Sequence, residues 1–250
     1  TWLGIKFDET HHQSKRGEIY RTYLETLIKA NQAYISKEIP AKEGSRSEVI
    51  RFKNQGKKVS FNDLIRGLVE FDTKELGDFI IAKDFDSPIY HFASVVDDYD
   101  LGITHIIRGE DHISNTPRQI LIAEALGAPI PLYAHLPLIF TPDRSKLSKR
   151  HGARAVTEYR DEGYLPPAMV NFLALLGWSP QSVGLDDKEI FTLEELIKHF
   201  SIEKVQPGGA IFNEAKLNWI NREHLKRLSK DDFLSKIEDY LPDKITSLPL

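Results

Sequence analysis

Residues 104–127 read Thr-His-Ile-Ile-Arg-Gly-Glu-Asp-His-Ile-Ser-Asn-Thr-Pro-Arg-Gln-Ile-Leu-Ile-Ala-Glu-Ala-Leu-Gly and carry the signals for a strand followed directly by a helix. The short apolar stretch 104–107 predicts the strand. Thr116 is the predicted N-cap, Pro117 the first helical residue and Gly127 the residue that closes the helix. A second strand is predicted over residues 136–140. This order of elements predicts a right-handed crossover in a parallel sheet, and hence an α/β fold.

Arg108 directly follows the first of these strands. Ligands of parallel sheets bind outside the carboxyl ends of the strands, and the planar guanidinium of arginine can pair with a carboxylate through two hydrogen bonds. Arg108 is therefore a candidate for binding an anionic substrate. The alternative is a structural salt bridge from Arg108 to Glu110 or Asp111.

A basic loop, Arg-Ser-Lys-Leu-Ser-Lys-Arg-His-Gly, occupies residues 144–152 after the second strand. Two lysines and an arginine in a short loop suit the oxygens of a polyphosphate. The alternative for this cluster is a solvated surface loop or a nonspecific nucleic-acid patch. Because both motifs follow strands of the predicted sheet, we expect them at the same edge.

Together the two motifs resemble the second half of the catalytic domain of class I aminoacyl-tRNA synthetases, and are most similar to bacterial-type glutamyl-tRNA synthetases. The likeness is strongest from residues 95–98 to residues 177–178 and weaker over the rest of the chain. The resemblance implies a Rossmann-like catalytic half-domain with a small strand-rich insertion, followed by a mainly helical stem-contact domain. It also implies ATP-dependent ligation of L-glutamate to tRNA(Glu) through a glutamyl-adenylate intermediate.

The resemblance assigns roles to individual residues. Lys146 and Lys149 correspond to the catalytic lysines that stabilise charge on departing pyrophosphate. The resemblance places Lys149, Ser148, Asp111 and His112 at ATP. It places Arg108, Tyr90 and Ser94 at the glutamate substrate, although some relatives have asparagine where this chain has Ser94.

The predicted domains are 1–152 for the catalytic half, with the insertion at about 34–82, and 153–250 for the stem-contact domain. A helix is predicted from a cap at Ser14 to about Ala33, and a strand over residues 89–96. Short apolar segments at 49–52, 59–61 and 79–82 predict further strands. In the later part of the chain, Thr192 with Glu195 predicts a capping box, and Asn213 and Ser229 are further candidate helix caps. In the family, a His-Ile-Gly-His segment precedes this region and an anticodon-binding domain follows it. We therefore expect an incomplete chain that is inactive alone.

Composition restricts the remaining possibilities. The formal charge of 33 − 37 = −4 argues against nucleic-acid binding by bulk electrostatics, and the chain has no cysteine for a disulfide or a thiolate zinc site. Consecutive acids such as Glu110 and Asp111 rarely converge on one metal ion, so we expect no metal site, no zinc, and Mg²⁺ carried with ATP. We also expect a cytoplasmic monomer that does not bind membranes.

Two alternatives to a glutamate ligase follow from the same residues. One is a glutaminyl-tRNA synthetase, disfavoured because the Arg108–His112 and Asn115–Gln119 segments look glutamyl-like. The other is a noncatalytic tRNA-binding or regulatory paralogue.

Overall fold

A computed structural model describes residues 1–38, 48–147 and 154–237. The chain divides into two compact units: one comprises Asp8–His135, and the other comprises Thr1–Phe7 with Leu136–Leu250. This division lies before the domain boundary expected near residue 152. The assignment of the two predicted domains stays a prediction.

The first helix of the Asp8–His135 unit, α1, runs over Gly17–Lys29 and buries Tyr20, Leu24 and Leu27 along one face. The predicted cap at Ser14 is wrong, because that residue lies in a short 3₁₀ turn. The residue that precedes the helix is Arg16, whose side chain pairs with Asp97 at 2.7 Å. The predicted end of the helix is also wrong, because α1 ends at Lys29 and Ala33 already begins strand β1 (Ala33–Lys37).

The strands predicted within residues 49–82 are confirmed. Strands β1 (Ala33–Lys37), β2 (Glu48–Phe52) and β5 (Phe79–Ala82) form an antiparallel sheet in the order β1-β2-β5. Strands β3 (Lys58–Asp63) and β4 (Gly67–Asp72) form an antiparallel hairpin. This hairpin belongs to a second sheet that also carries Arg108.

The strand predicted over residues 89–96 is wrong: this segment begins helix α2, Tyr90–Asp100. Short apolar runs are compatible with either a strand or a buried helix. Here the buried residues fall at helical spacing and pack into the core of this unit; they are Phe92, Ala93, Val95 and Val96.

The second sheet has the order β4-β3-β7-β6, where β6 is His105–Gly109 and β7 is Leu132–Leu136. Strands β3 and β7 are parallel and pair at Asp63 and Tyr133. Between β6 and β7 lies helix α3, Thr116–Ala125, which packs against α2. The predicted cap is one residue late, since Asn115 precedes the helix and Thr116 is its first residue.

The strand predicted over residues 136–140 is wrong as a single element. Strand β7 ends at Leu136, and Pro137, which lacks a backbone N–H, separates it from β8 at Ile139–Phe140. Strand β8 pairs in parallel with β9, Ala210–Ile211, in a separate two-stranded sheet. The basic loop therefore does not directly follow a strand of the sheet that carries Arg108.

The unit that contains Leu136–Leu250 is mainly helical, as predicted. Its described helices are α4 (Val156–Asp161), α5 (Pro166–Leu175), α6 (Leu193–His199), α7 (Glu214–Leu225) and α8 (Lys230–Ile237). The predicted caps Thr192, Asn213 and Ser229 accept hydrogen bonds from the backbone N–H groups of Glu195, Lys216 and Asp232. None of the helices in the described part of the chain has the length and apolarity required to cross a bilayer.

Candidate active site

Arg108 lies near the end of β6, where the chain turns into a 3₁₀ helix, Glu110–Asn115. A Cβ atom at Gly109 would lie 2.6 Å from Oδ1 of Asp111, so a larger residue here would require the exposed Asp111 side chain to shift. The Arg-Gly-Glu-Asp sequence places a guanidinium near the end of β6, directly before the 3₁₀ helix.

The guanidinium of Arg108 has hydrogen-bond partners on several sides. Its Nε donates to Nε2 of His135 at 3.2 Å, and Nη2 donates to Oγ1 of Thr116 at 2.8 Å and to the carbonyl of His112 at 3.4 Å. Nη1 points to the hydroxyl of Tyr90 at 3.5 Å, a long contact. The cation also lies over the ring of Tyr133, 5.6 Å from its centroid. These contacts hold the plane of the guanidinium in one orientation.

A buried histidine–aspartate pair lies beside Arg108. Nδ1 of His135 lies 2.6 Å from Oδ2 of Asp63, and neither side chain is exposed to solvent. Burial acts to raise the pKa of Asp63, but hydrogen bonds from His135 and from the amides of Ile65 and Arg66 lower it overall. Burial lowers the pKa of His135, against the opposing effect of Asp63. The pair is therefore an ionised carboxylate and a neutral imidazole.

Of the other predicted site residues in this unit, Tyr90 and His112 lie beside Arg108. The ring centroids of Tyr90 and His112 are 5.4 Å apart, and Nδ1 of His112 lies 3.1 Å from the amide nitrogen of Asn115. Asp111 is exposed within the 3₁₀ helix, against Gly109. The structure thus brings Arg108, Tyr90 and His112 together.

Ser94 lies one turn after Tyr90 on α2, and its hydroxyl accepts a hydrogen bond from Gln119 at 2.8 Å. Gln119 is itself buried on α3. A direct role of Ser94 in substrate binding stays a prediction.

Sequence reasoning missed Asp63, Thr116 and His135 as partners of the candidate site. Each is a polar residue with at most 1% of its surface exposed. The available signal was a single polar residue in an apolar stretch, as His135 is in the segment Tyr-Ala-His-Leu. A buried polar residue needs a hydrogen-bond partner, and here that partner is Arg108 or a neighbour of Arg108.

The basic loop is only partly described. Lys146 is exposed and forms an isolated antiparallel bridge with Phe140 of β8. Ser148 and Lys149 lie outside the described residues. The prediction that the loop shares an edge of the sheet with Arg108 stays a prediction.

Acidic residues near the site have structural partners. Glu110 forms an ion pair with Arg66, and Asp97 accepts hydrogen bonds from Arg16 and from the hydroxyl of Tyr20. Within residues 1–38, 48–147 and 154–237, no group of three or more His, Asp or Glu side chains is placed to hold a metal ion. The absence of a zinc site from the chain as a whole stays a prediction.

Asp98 lines a cavity of about 330 Å³ together with Gln119, Tyr133 and mainly apolar side chains. Burial, with a smaller effect from Asp97, raises the pKa of the Asp98 carboxyl to about 6. Burial likewise raises the pKa of Tyr133 to about 12. Tyr133 is shared between this cavity and the cation of Arg108.

Comparison with known proteins identifies the class of this chain. The family described as "tRNA synthetases class I (E and Q), catalytic domain" matches residues 35–219, more than half of the chain. The chain therefore belongs to this family of class I tRNA synthetases.

Individual relatives agree with this class. The chain is 46% identical over 268 residues to a glutamate–tRNA ligase of Aquifex aeolicus (strain VF5), covering 93% of this chain and 56% of that protein. It is 44% identical to a glutamate–tRNA ligase of Carboxydothermus hydrogenoformans (strain ATCC BAA-161 / DSM 6008 / Z-2901), covering 90% of this chain and 55% of that protein. The chain thus spans little more than half the length of these relatives.

A solved structure supports the fold. The crystal structure of a glutamate tRNA ligase from Elizabethkingia meningosepticum CCUG26117, in complex with its amino acid, matches with a TM-score of 0.86 and 30% identity. The match covers all of this chain (100%) and 62% of that one. The prediction of a class I synthetase α/β fold is therefore confirmed.

Proposed function

We propose that this chain forms part of a glutamate–tRNA ligase, in which Arg108 binds the side-chain carboxylate of L-glutamate. Family membership supports the reaction class, and the relatives described above are named as glutamate ligases. Those names favour a glutamate ligase over a glutaminyl-tRNA synthetase or a noncatalytic paralogue. Glutamate, tRNA(Glu) and ATP with its Mg²⁺ are the proposed substrates and cofactor.

The observation that carries this proposal is the arrangement of the Arg108 guanidinium. Its Nε and Nη2 are bound by protein acceptors, whereas Nη1 is directed to the hydroxyl of Tyr90. Tyr90 is 45% exposed, so this side of the guanidinium faces an open surface. A carboxylate placed there would accept hydrogen bonds from both Nη1 and the Tyr90 hydroxyl. A neutral amide would gain much less from the same cation.

The proposed chemistry begins with attack of the α-carboxylate of glutamate on the α-phosphorus of ATP, which releases pyrophosphate. Lys146 and Lys149 would stabilise the negative charge that accumulates on the departing oxygens. Asp111, His112 and Ser148 are the proposed contacts to ATP, and Ser94 is a further proposed contact to glutamate. In the second step, the terminal hydroxyl of tRNA(Glu) would attack the glutamyl carbonyl and displace AMP.

The two predicted domains have different proposed roles. Residues 1–152 would carry the amino-acid and lysine-loop chemistry, and residues 153–250 would contact the tRNA stem. The chain by itself is proposed to lack adenylation activity, since it spans little more than half of its relatives. A cytoplasmic monomer remains the proposed state.

The test is Arg108→Ala in the whole protein encoded by the open reading frame that contains this chain. Loss of the charge partner should cost glutamate about 2 to 5 kcal/mol of transition-state binding, since its carboxylate is left desolvated and unpaired. Glutamine should lose far less, so the kcat/KM ratio of the two amino acids should fall toward unity. Arg108→Lys should restore only part of the ratio, because an ammonium lacks the planar fork.

Arg21→Ala is the matched control, because Arg21 pairs with the exposed Asp86 in the same unit. It should leave the ratio unchanged. An equal loss of activity with both amino acids in Arg108→Ala would make Arg108 structural and remove the main support for glutamate.

A further inference from the structure

We propose that His135, anchored by Asp63, is a positioning residue that orients the guanidinium of Arg108 toward the substrate. In this arrangement the imidazole is neutral, with its proton on Nδ1 and its lone pair on Nε2. The inference rests on the proposed function for the identity of the substrate. The arrangement of the side chains themselves does not depend on that function.

Asp63 is a rigid anchor because its carboxylate is saturated with N–H donors. Oδ1 accepts from the backbone amides of Ile65 and Arg66, both at 3.0 Å. The backbone amide of His135 lies 3.2 and 3.1 Å from the two carboxylate oxygens. The same aspartate therefore fixes both the turn after β3 and the backbone of β7.

The ring of His135 links this anchor to Arg108. Nδ1 faces the Asp63 carboxylate at 2.6 Å, and Nε2 accepts from Nε of Arg108 at 3.2 Å. The ring is stacked on Tyr133 with an interplanar angle of 8°. An arginine N–H can only donate, so Nε2 must carry a lone pair, and the remaining proton lies on Nδ1 facing the carboxylate. This assigns the tautomer from hydrogen-bond chemistry.

These hydrogen bonds restrict rotation of the Arg108 guanidinium. Nε is bound to His135 and Nη2 to Thr116, so the guanidinium plane is fixed along one edge. The remaining nitrogen, Nη1, is thereby directed to the Tyr90 hydroxyl. Removal of the Nε acceptor would leave a partly buried N–H without a partner, and the plane would rotate to find another acceptor.

The electrostatic environment of His135 also favours the neutral imidazole. Burial lowers the pKa of His135, Asp63 acts in the other direction, and the positive charges of Arg108 and Arg66 add to the lowering. A neutral ring leaves the positive charge of Arg108 without a competing cation beside it. A protonated ring would place an N–H against the Nε–H of Arg108 and abolish the hydrogen bond between them.

Two substitutions separate positioning from folding. Asn at position 135 has a shorter side chain that can donate to Asp63 but presents no acceptor to Arg108. Gln at this position can place its carbonyl oxygen where Nε2 lies, and so accept from Arg108. In the whole encoded protein, His135→Asn should raise the KM for glutamate about 10- to 100-fold and lower the glutamate-to-glutamine kcat/KM ratio, with the KM for ATP little changed. His135→Gln should retain most of that ratio.

The melting temperatures of both variants are measured alongside, so that a loss of fold is recognised. Equal effects of the two substitutions on the ratio, or an unchanged ratio in His135→Asn, would overturn the positioning role. If the wild-type protein shows no glutamate-dependent activity, the proposed function fails, and with it the substrate named here.

A second measurement uses the 250-residue chain itself and is independent of activity. The ¹⁵N chemical shifts of the His135 ring should show a protonated Nδ1 and an unprotonated Nε2 at pH 7. Observation of the opposite tautomer, or of an imidazolium, would overturn the proposed arrangement whatever the enzyme's substrate is.

Discussion

At the residue scale, the candidate site is built around the positive charge of Arg108. Arg108 donates to neutral acceptors, namely His135, Thr116 and the His112 carbonyl. Glu110 forms an ion pair with Arg66. Hydrogen bonds to neutral acceptors fix the position of the guanidinium without cancelling its charge, so the cation can still pair with a carboxylate.

Lys149 is the residue whose predicted role most needs a kinetic test. In the whole encoded protein, Lys149→Ala should lower kcat by about 10²-fold, while the KM values for glutamate and ATP change less, because the lysine acts on charge that develops during pyrophosphate departure. Steady-state pyrophosphate exchange provides both parameters. Lys29→Ala is the control, since the Lys29 side chain is 80% exposed and forms a long i,i+4 ion pair with Glu25 at 3.9 Å. An unchanged kcat would favour the surface-loop interpretation of this motif.

At the element scale, the important correction is that residues 90–100 form a helix. As the first residue of α2, Tyr90 can present its hydroxyl to Arg108, and Ser94 follows one helical turn later. Helices α2 and α3 pack together, which brings Gln119 to the hydroxyl of Ser94. Had residues 89–96 formed a strand, neighbouring side chains would have alternated between two faces.

Helix α6 offers a direct test of local stabilisation. The Thr192 hydroxyl accepts from the amide of Glu195 at 3.2 Å, and the Glu195 carboxylate accepts from the amide of Thr192 at 3.0 Å. Thr192→Ala should lower the free energy of unfolding by about 1 kcal/mol, as measured by urea denaturation of the chain. Ser201→Ala is the control, because Ser201 precedes a 3₁₀ helix without capping its backbone. Equal losses in the two variants would contradict a specific capping effect.

At the scale of the whole molecule, buried histidines link stability to pH in both compact units. Burial lowers the pKa of His91, His135 and His224 below their ordinary value of 6.5. Nε2 of His224 donates to Oδ1 of Asn171 at 3.1 Å inside the helical unit, so His224 has a specific partner there. The pKa of Asp98 is raised to about 6, so this carboxyl has the opposite effect on the pH dependence of stability.

The sign of the effect follows from proton counting. As the pH falls through 6.5, unfolded histidines take up protons that the folded protein does not, so the unfolded state gains stability. The free energy of unfolding should therefore decrease between pH 7.5 and 6. Asp98 offsets part of the loss only as the pH approaches 6, where its folded carboxyl begins to protonate.

The measurement is urea denaturation at several pH values. His224→Gln is the informative variant, since its amide can keep a hydrogen bond to Asn171 but does not titrate. It should show a weaker pH dependence than the wild-type chain. A stability that rises or stays constant on acidification would refute the assignment of these histidines as buried and neutral.

The amino-acid sequence by itself determined the family, the candidate Arg108, the strands within residues 49–82 and the caps of the later helices. These features depend on contiguous residues: a motif, an alternating apolar pattern, or a side chain that bonds the backbone three residues later. Thr192 with Glu195 and Asn213 with Lys216 are examples. Such signals act over one turn of chain and can be recognised without knowledge of the rest of the fold.

The tertiary structure alone decided that residues 90–100 are helical, that the strand breaks at Pro137, and that Asp63 and His135 support Arg108. The Asp63–His135 contact joins residues 72 positions apart, and the His135–Arg108 contact joins residues 27 positions apart. These side chains meet because β3, β7 and β6 lie next to one another in the sheet. Strand order depends on the burial of the whole core, which no local pattern contains, so the partners of Arg108 emerged only when the sheet was assembled.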